Sequence, residues 1–306
     1  MNDKTIGYDN EPEDEIESSR APLLDHLIEL RLRLIICVGA IAVAFGICFA
    51  FVKPIFLFLV RPFTVAEGLK AVQEASGGRH GSFDLLLALV GVKKVPAASL
   101  ADITLQATAP LEQFFTNIKL SAFGAIIIAF PIIAWQLYRF VAPGLYKKER
   151  NAFLPFLIAS PVLFLMGASL VYYIMLPFVL WFALGQQIVG EGVKVVLQTR
   201  VSEYLTLVTT LLLAFGLSFQ LPVVLSLAGL AGLVNSTMLR AGRRYAIVAV
   251  FVVAAVVTPP DPISQITLAV PLCLLYEVSI WCVWLIERRR KREDDEAEAG
   301  TDVVAL

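Results

Sequence analysis

Long, strongly apolar runs with almost no charged residues dominate this sequence. They cover residues 34–52, 117–139, 153–185, 204–234 and 263–286. A helix needs about 20 apolar residues to cross the hydrocarbon core of a bilayer. With 58% hydrophobic and 17% charged residues, the chain also carries more apolar surface than a water-soluble domain of 306 residues can bury. The pattern predicts an all-α membrane protein, because the runs lack the short alternation of barrel strands.

A further apolar run, residues 245–257, is too short for an ordinary membrane span. Its 13 residues give a helix of about 20 Å, whereas the hydrocarbon core is about 30 Å thick. The turn TPPDP at residues 258–262 then reverses the chain, since three prolines do not fit inside a helix. We therefore predict six transmembrane helices, of which the fifth and sixth are short.

The segments outside the spans differ in composition from the spans. Residues 1–21 are acidic and predicted to be disordered, and residues 288–306 form a second charged tail. Between them, residues 22–287 form the predicted six-helix domain. The first external loop, about 53–116, is long and contains an apolar patch at 85–90 that is too short to span.

Lysine and arginine are distributed unevenly among the predicted loops. If the N-terminus is inside, the inner segments hold 16 of the 25 cationic residues. Cytoplasmic loops near span ends carry this excess, so we predict that both termini are cytoplasmic. The net charge of −1 gives no indication of a nucleic-acid partner.

The motif HLIELRLRL, residues 26–34, precedes the first span. On a helix, Asp25, Glu29 and Arg33 lie on one face at i, i+4 spacing. A Glu29–Arg33 pair on a solvated face explains part of this pattern. The like charges of Asp25 and Glu29 are mildly unfavourable at the same spacing, however, and a cationic ligand would relieve them.

The motif APGLYKKER, residues 142–150, forms the next predicted inner loop. Its three cations fit the rule that positive residues face the cytoplasm. That rule gives no reason for Glu149, which stands among them.

Three polar residues fall inside or beside later spans. Gln220, in GLSFQLP, has helix–helix packing or a cavity-facing role as alternatives. Glu277 is a carboxylate within the last span, where such groups are usually functional, but pairing with an arginine near a helix end is an equal alternative. Asp261, in the TPPDP turn, has helix capping as its simplest role.

Residues suited to catalysis or metal binding are scarce. All four cysteines fall inside apolar runs, only two histidines occur, and no P-loop or Gly-x-Ser-x-Gly motif is found. We predict no catalytic residue, no metal site, no cofactor and no enzymatic activity. An intramembrane hydrolase lacks a plausible pair of nucleophile and base.

The ordered set HLIELRLRL, LYKKER, GLSFQLP and TPPDPISQ resembles the TatC family, the receptor subunits of the twin-arginine protein translocase. The resemblance covers about residues 22–287. It implies a receptor for twin-arginine signal peptides that assembles with itself and with single-span TatA- and TatB-like proteins in the lipid bilayer. It also implies that the protein lies in a bacterial inner membrane, where the complex exports folded proteins using the proton-motive force.

The resemblance also implies roles for individual residues. Glu29 and Glu149 match the carboxylates that bind the signal arginines, and Arg31 and Phe140 match positions linked to signal or complex function. Gln220 departs from the family, because many relatives have a titratable carboxylic acid there. A secondary ion or solute transporter using Gln220 and Glu277 is the alternative function, although few polar groups lie at the predicted midplane.

Overall fold

A computed structural model describes residues 11–75, 105–141, 150–186, 188–190, 193–195, 199–257 and 262–304. Apart from one small hairpin, the elements in these ranges are helical. The helices are α1 (Glu11–Ala50), α2 (Val52–Ala75), α3 (Glu112–Val141), α4 (Arg150–Leu170), α5 (Leu176–Gly185), α6 (Val201–Ser218), α7 (Leu221–Leu230), α8 (Ser236–Ala241), α9 (Arg243–Val257) and α10 (Pro262–Val304). A π-helical turn, Val171–Met175, joins α4 to α5, and strands β1 (Ile188–Gly190) and β2 (Val193–Val195) pair antiparallel.

Five helical segments within the described ranges are long and apolar enough to cross a membrane. They are Ile28–Ala50, Glu112–Phe140, Phe156–Gly185, Val201–Leu230 and Gln265–Arg292. The multi-span, all-α prediction is therefore confirmed. The prediction of a short sixth helix is wrong, because the last span has 28 residues and α10 continues to Val304. Arginine, lysine and glutamate after the span are good helix formers, so the helix propagates through them.

The structure also differs from the sequence prediction in the segments outside the spans. Helix α1 begins at Glu11, inside the segment predicted to be disordered, and α2 occupies the start of the predicted long loop. A helix that already exists extends at little cost into glutamate-rich sequence, which explains the early start of α1. The apolar patch at 85–90 lies outside the described residues.

The main hydrophobic core joins α2, α3, the π-helical turn, α5, α6, part of α10 and, through Ala254, α9. Two tyrosines tie α2 into it. Tyr172 donates a hydrogen bond to the carbonyl of Phe58 at 2.6 Å, and Tyr204 donates to the carbonyl of Leu59 at 2.7 Å. Pro62 has no N–H, so Phe58 lacks the donor that residue i+4 of a helix normally supplies. Tyr172 replaces that donor.

Helices α4 and α6 approach closely because each carries a glycine at their contact. A Cβ added to Gly167 would lie 2.7 Å from the ring of Phe219, and one added to Gly216 would lie 2.6 Å from the ring of Phe164. Two aromatic rings thus pack directly against the backbone of the opposite helix. Close approach through small residues is typical of helix pairs in membranes, where packing rather than water exclusion drives association.

A seam of small side chains joins α1 to α3. Ala44, Ala125 and Ala129 form its buried centre, and Cys48 Sγ lies 2.8 Å from where a Cβ on Gly124 would be. The rest of the first span is mostly exposed at the edge of the fold. These contacts fix which part of α1 lies beside which part of α3.

Candidate functional site

The candidate receptor carboxylate Glu29 lies on α1, one turn before the predicted span. Arg33 donates a hydrogen bond from Nη2 to Glu29 Oε1, as the i, i+4 spacing predicts. The Arg33 side chain is only 16% exposed and the Glu29 side chain 39%. Among the described residues, Arg33 Nε has no hydrogen-bond partner although it is buried. The pair therefore presents its carboxylate, rather than its guanidinium, to the surroundings.

The seam between α1 and α3 places Glu29 level with the end of α3. Glu29 precedes Cys48 by 19 residues, and Val141 follows Gly124 by 17 residues along the antiparallel partner. At 1.5 Å per residue these separations are about 28 and 26 Å. The segment that contains Glu149 starts directly after Val141. Glu149 itself lies outside the described residues.

The other two residues assigned to this region differ in burial. Arg31 is exposed on α1, and Phe140 is half-buried in the last turn of α3. The structure thus brings Glu29 and Phe140 to the same end of the α1–α3 pair.

Gln220 lies at the break between α6 and α7. Helix α6 ends at Ser218 and α7 begins at Leu221, a break within the apolar run that the sequence did not predict. Ser160 Oγ donates to Gln220 Oε1 at 2.7 Å, and Gln220 Nε2 donates to the Ser160 carbonyl at 2.9 Å. Gln220 therefore ties the break to α4 through two reciprocal hydrogen bonds.

Glu277 has the arginine partner that the sequence left as one of two alternatives. Arg243 Nη2, at the start of α9, lies 2.7 Å from Glu277 Oε2, and both side chains are about half exposed. The pair bridges α9 and α10. Asp261 lies outside the described residues, so its predicted capping role stays a prediction.

Sequence reasoning missed two carboxylates that hold loops in place. Glu112, at the start of α3, accepts hydrogen bonds from the Thr108 and Ala109 amides at 2.6 and 3.2 Å and from Ser202 Oγ at 2.6 Å. Glu287, near the end of the last span, accepts from the Ser236 amide at 2.8 Å. Both partner serines are far away in sequence, so no local spacing indicated either contact. Among the described residues, no cluster of histidine, cysteine or acidic side chains has the geometry of a metal site.

Comparison with known proteins identifies the family to which this architecture belongs. Residues 25–271 match the family model of the Sec-independent protein translocase protein TatC. The chain belongs to the TatC family. The TatC protein of Magnetococcus marinus is 42% identical over 92% of this chain and 90% of its own length, and that of Aquifex aeolicus is 37% identical over 88% and 98%. A crystal structure of the twin-arginine translocase receptor TatC superposes with a TM-score of 0.64 at 34% identity, covering 84% of this chain and 97% of the solved one.

Family membership confirms the resemblance seen in the motifs. As a TatC protein, the chain is a multi-span membrane component of the Tat protein translocase, a transport role rather than a catalytic one. A translocase component works in a complex with other Tat subunits.

Proposed function

We propose that this TatC protein binds the twin-arginine signal peptides of folded passenger proteins through Glu29 and Glu149. The observation that carries the proposal is the position of Glu29, whose carboxylate is accessible and level with the start of the segment leading to Glu149. One carboxylate from α1 and one from the following inner segment would then serve two adjacent arginines.

The chemistry of the two carboxylates explains a preference for arginine over lysine. A planar guanidinium donates two parallel hydrogen bonds to one carboxylate, and the ammonium of lysine cannot form that fork. The pair of Glu29 with Arg33 supports this assignment, because it shows that the Glu29 carboxylate accepts a guanidinium at this site. Arg31, exposed beside them, and Phe140 are proposed to contact the rest of the signal peptide.

The proposed topology has six spans in a bacterial inner membrane, with both termini in the cytoplasm. Helix α9 is the short fifth span, and its 15 residues make it about 22 Å long. We propose that this mismatch thins the bilayer locally and helps TatA- and TatB-like helices open a passage driven by the proton-motive force. Normal bilayer thickness beside α9, measured by depth-dependent spin-label quenching, would contradict this part of the proposal.

Gln220 is proposed to support partner assembly. Its two bonds to Ser160 hold the break between α6 and α7, and a glutamine cannot titrate, so we assign no proton transfer to it. Replacement by leucine should reduce co-purification of the single-span partners. Unchanged co-purification would restrict Gln220 to internal packing.

Export of a folded reporter with an Arg-Arg signal tests the receptor role in cells. Glu29→Ala and Glu149→Ala should each abolish export and signal-peptide crosslinking while the protein still inserts in the membrane. Glu203→Ala is the matched control, because Glu203 is an exposed carboxylate in the first turn of α6, away from Glu29, and it pairs with Arg200 just before that helix. Crosslinking equal to wild type in both receptor variants would overturn the assignment.

A further inference from the structure

A groove separates the short helix α9 from α10. Its volume is about 230 Å³, and its walls are the face of α9 that includes Ala246 and Val250 and the face of α10 that includes Val270. These side chains repeat at helical spacing, so the groove follows both helices for about two turns, or roughly 12 Å. Val270 is 52% exposed, so the groove is open on that side, which would face lipid if α9 and α10 span the membrane.

The groove is polar at only one end. Arg243, Glu277 and Tyr276 line that end, and the remaining lining is apolar. An apolar cavity of this kind does not hold water stably, and it favours apolar occupants. The distribution fits an amphiphilic molecule whose head lies at the Arg243 end and whose tail runs along α9.

The charge at the polar end is mainly positive. Residues 236–244 contain Arg240, Arg243 and Arg244 and no acidic residue, and Glu277 is the one carboxylate in the groove lining. Arg243 uses Nη2 for Glu277, and 47% of its side chain stays exposed. A guanidinium has five donors, so Arg243 can hold Glu277 and a phosphate together.

The size of the groove favours a lipid tail over a protein helix as its occupant. A groove of about 230 Å³ that follows both helices for roughly 12 Å accommodates part of one acyl chain. A helix with side chains is about 10 Å wide and does not fit into that volume.

We propose that this groove binds one anionic phospholipid. Arg243 holds the phosphate, Arg240 and Arg244 supply the surrounding positive potential, and one acyl chain lies between α9 and α10. Cationic residues at a membrane surface attract anionic lipids in this way. The bound headgroup would mark the level of the bilayer surface beside the short helix. This site is separate from Glu29 and does not depend on the signal-peptide role.

Native mass spectrometry of the purified full chain, with phosphatidylglycerol or phosphatidylcholine added stepwise, tests the proposal. The wild-type protein should keep one phosphatidylglycerol with higher affinity than phosphatidylcholine. Arg243→Gln should weaken that binding about tenfold, the effect of losing one charge-assisted hydrogen bond. Ala246→Phe should block the groove and remove the same bound lipid even if Arg243→Gln alters the fold.

Two matched variants separate this site from general effects of charge or bulk. Arg200→Gln removes an arginine of a different ion pair, and Ala249→Phe adds the same bulk to an exposed position of α9 outside the groove lining. Both should bind phosphatidylglycerol like the wild type, and tail-free glycerophosphoglycerol should not compete. Equal lipid binding by the wild type, Arg243→Gln and Ala246→Phe would overturn the proposal. It would also be overturned if these variants lost only a co-purified single-span partner.

Discussion

Two regions of the molecule are held together in different ways. The packed end, which we define as α2, the π-helical turn, α5 and α6, buries most of the main core and uses tyrosine hydroxyls to satisfy backbone carbonyls. The open arm, defined as α8 and α9, buries Ala254 as the single core residue of α9 and Leu239 in a small cluster against α10. It is fastened to α10 by Arg243–Glu277, by Ser236–Glu287 and by one tyrosine hydroxyl, that of Tyr276, which donates to the Leu239 carbonyl at 2.8 Å.

The difference shows where this fold tolerates change. Packing and interhelical hydrogen bonds stabilise helices in a bilayer, because lipid tails are as apolar as the side chains. The packed end uses both and should be rigid. The open arm buries fewer residues and includes an ion pair at the polar end of a groove, so its position should respond more to lipid and salt.

The largest expected effect is the loss of a buried aromatic side chain from the packed end. Tyr204 is 2% exposed, and Tyr204→Ala should lower the free energy of unfolding by about 3–5 kcal/mol. Thermal unfolding in detergent measures this loss. Tyr245→Ala, on an exposed residue of the open arm, is the control and should change stability by less than about 1 kcal/mol. Equal losses of unfolding free energy in the two variants would mean that the packed end and the open arm do not differ in how firmly their side chains are packed.

A smaller effect is expected from the Tyr172 hydroxyl. Tyr172→Phe leaves the Phe58 carbonyl without its side-chain donor and should cost about 1–3 kcal/mol. In a Pro62→Ala background the helix regains an N–H at that position, so the same change should cost less. Tyr173→Phe, at a tyrosine that is 61% exposed, serves as the control. An unchanged cost in the Pro62→Ala background would contradict the link between Pro62 and Tyr172.

The smallest effect on stability is expected for the ion pair of the open arm. Arg243→Gln should lower the free energy of unfolding by no more than about 1 kcal/mol, because both partners are half exposed. The difference from the wild type should shrink as salt concentration rises. A loss of several kcal/mol that salt does not affect would show that the open arm is as firmly held as the packed end.

Sequence periodicity and length were sufficient for the helical class and the five long spans, but they did not predict the helix break at Gln220. They were not sufficient for the contacts between distant elements. Glu112 and Ser202 are 90 residues apart, and Glu277 meets Arg243 across 34 residues, so only the tertiary fold shows these pairs. The end of α10 was mispredicted because a change from apolar to charged residues ends a membrane span but not necessarily a helix.

At the candidate site, too, the sequence revealed the contact within one helix but not the alignment of two helices. The i, i+4 spacing predicted the Glu29–Arg33 pair, because both residues belong to one helix. The alignment of Glu29 with the end of α3 depends on the seam of Ala44, Ala125 and Ala129, which sequence spacing alone does not reveal.

The most direct test of the receptor proposal is the affinity of the purified protein for a signal peptide. Isothermal titration calorimetry should measure the dissociation constants of an Arg-Arg peptide and of its Lys-Lys counterpart. The proteins to compare are the wild type, Glu29→Gln, Glu149→Gln and the control Glu203→Gln. The wild type and the control should prefer the Arg-Arg peptide, and each receptor variant should bind it about 10- to 100-fold more weakly. Unchanged affinity in both receptor variants, with the Arg-Arg preference intact, would contradict the account.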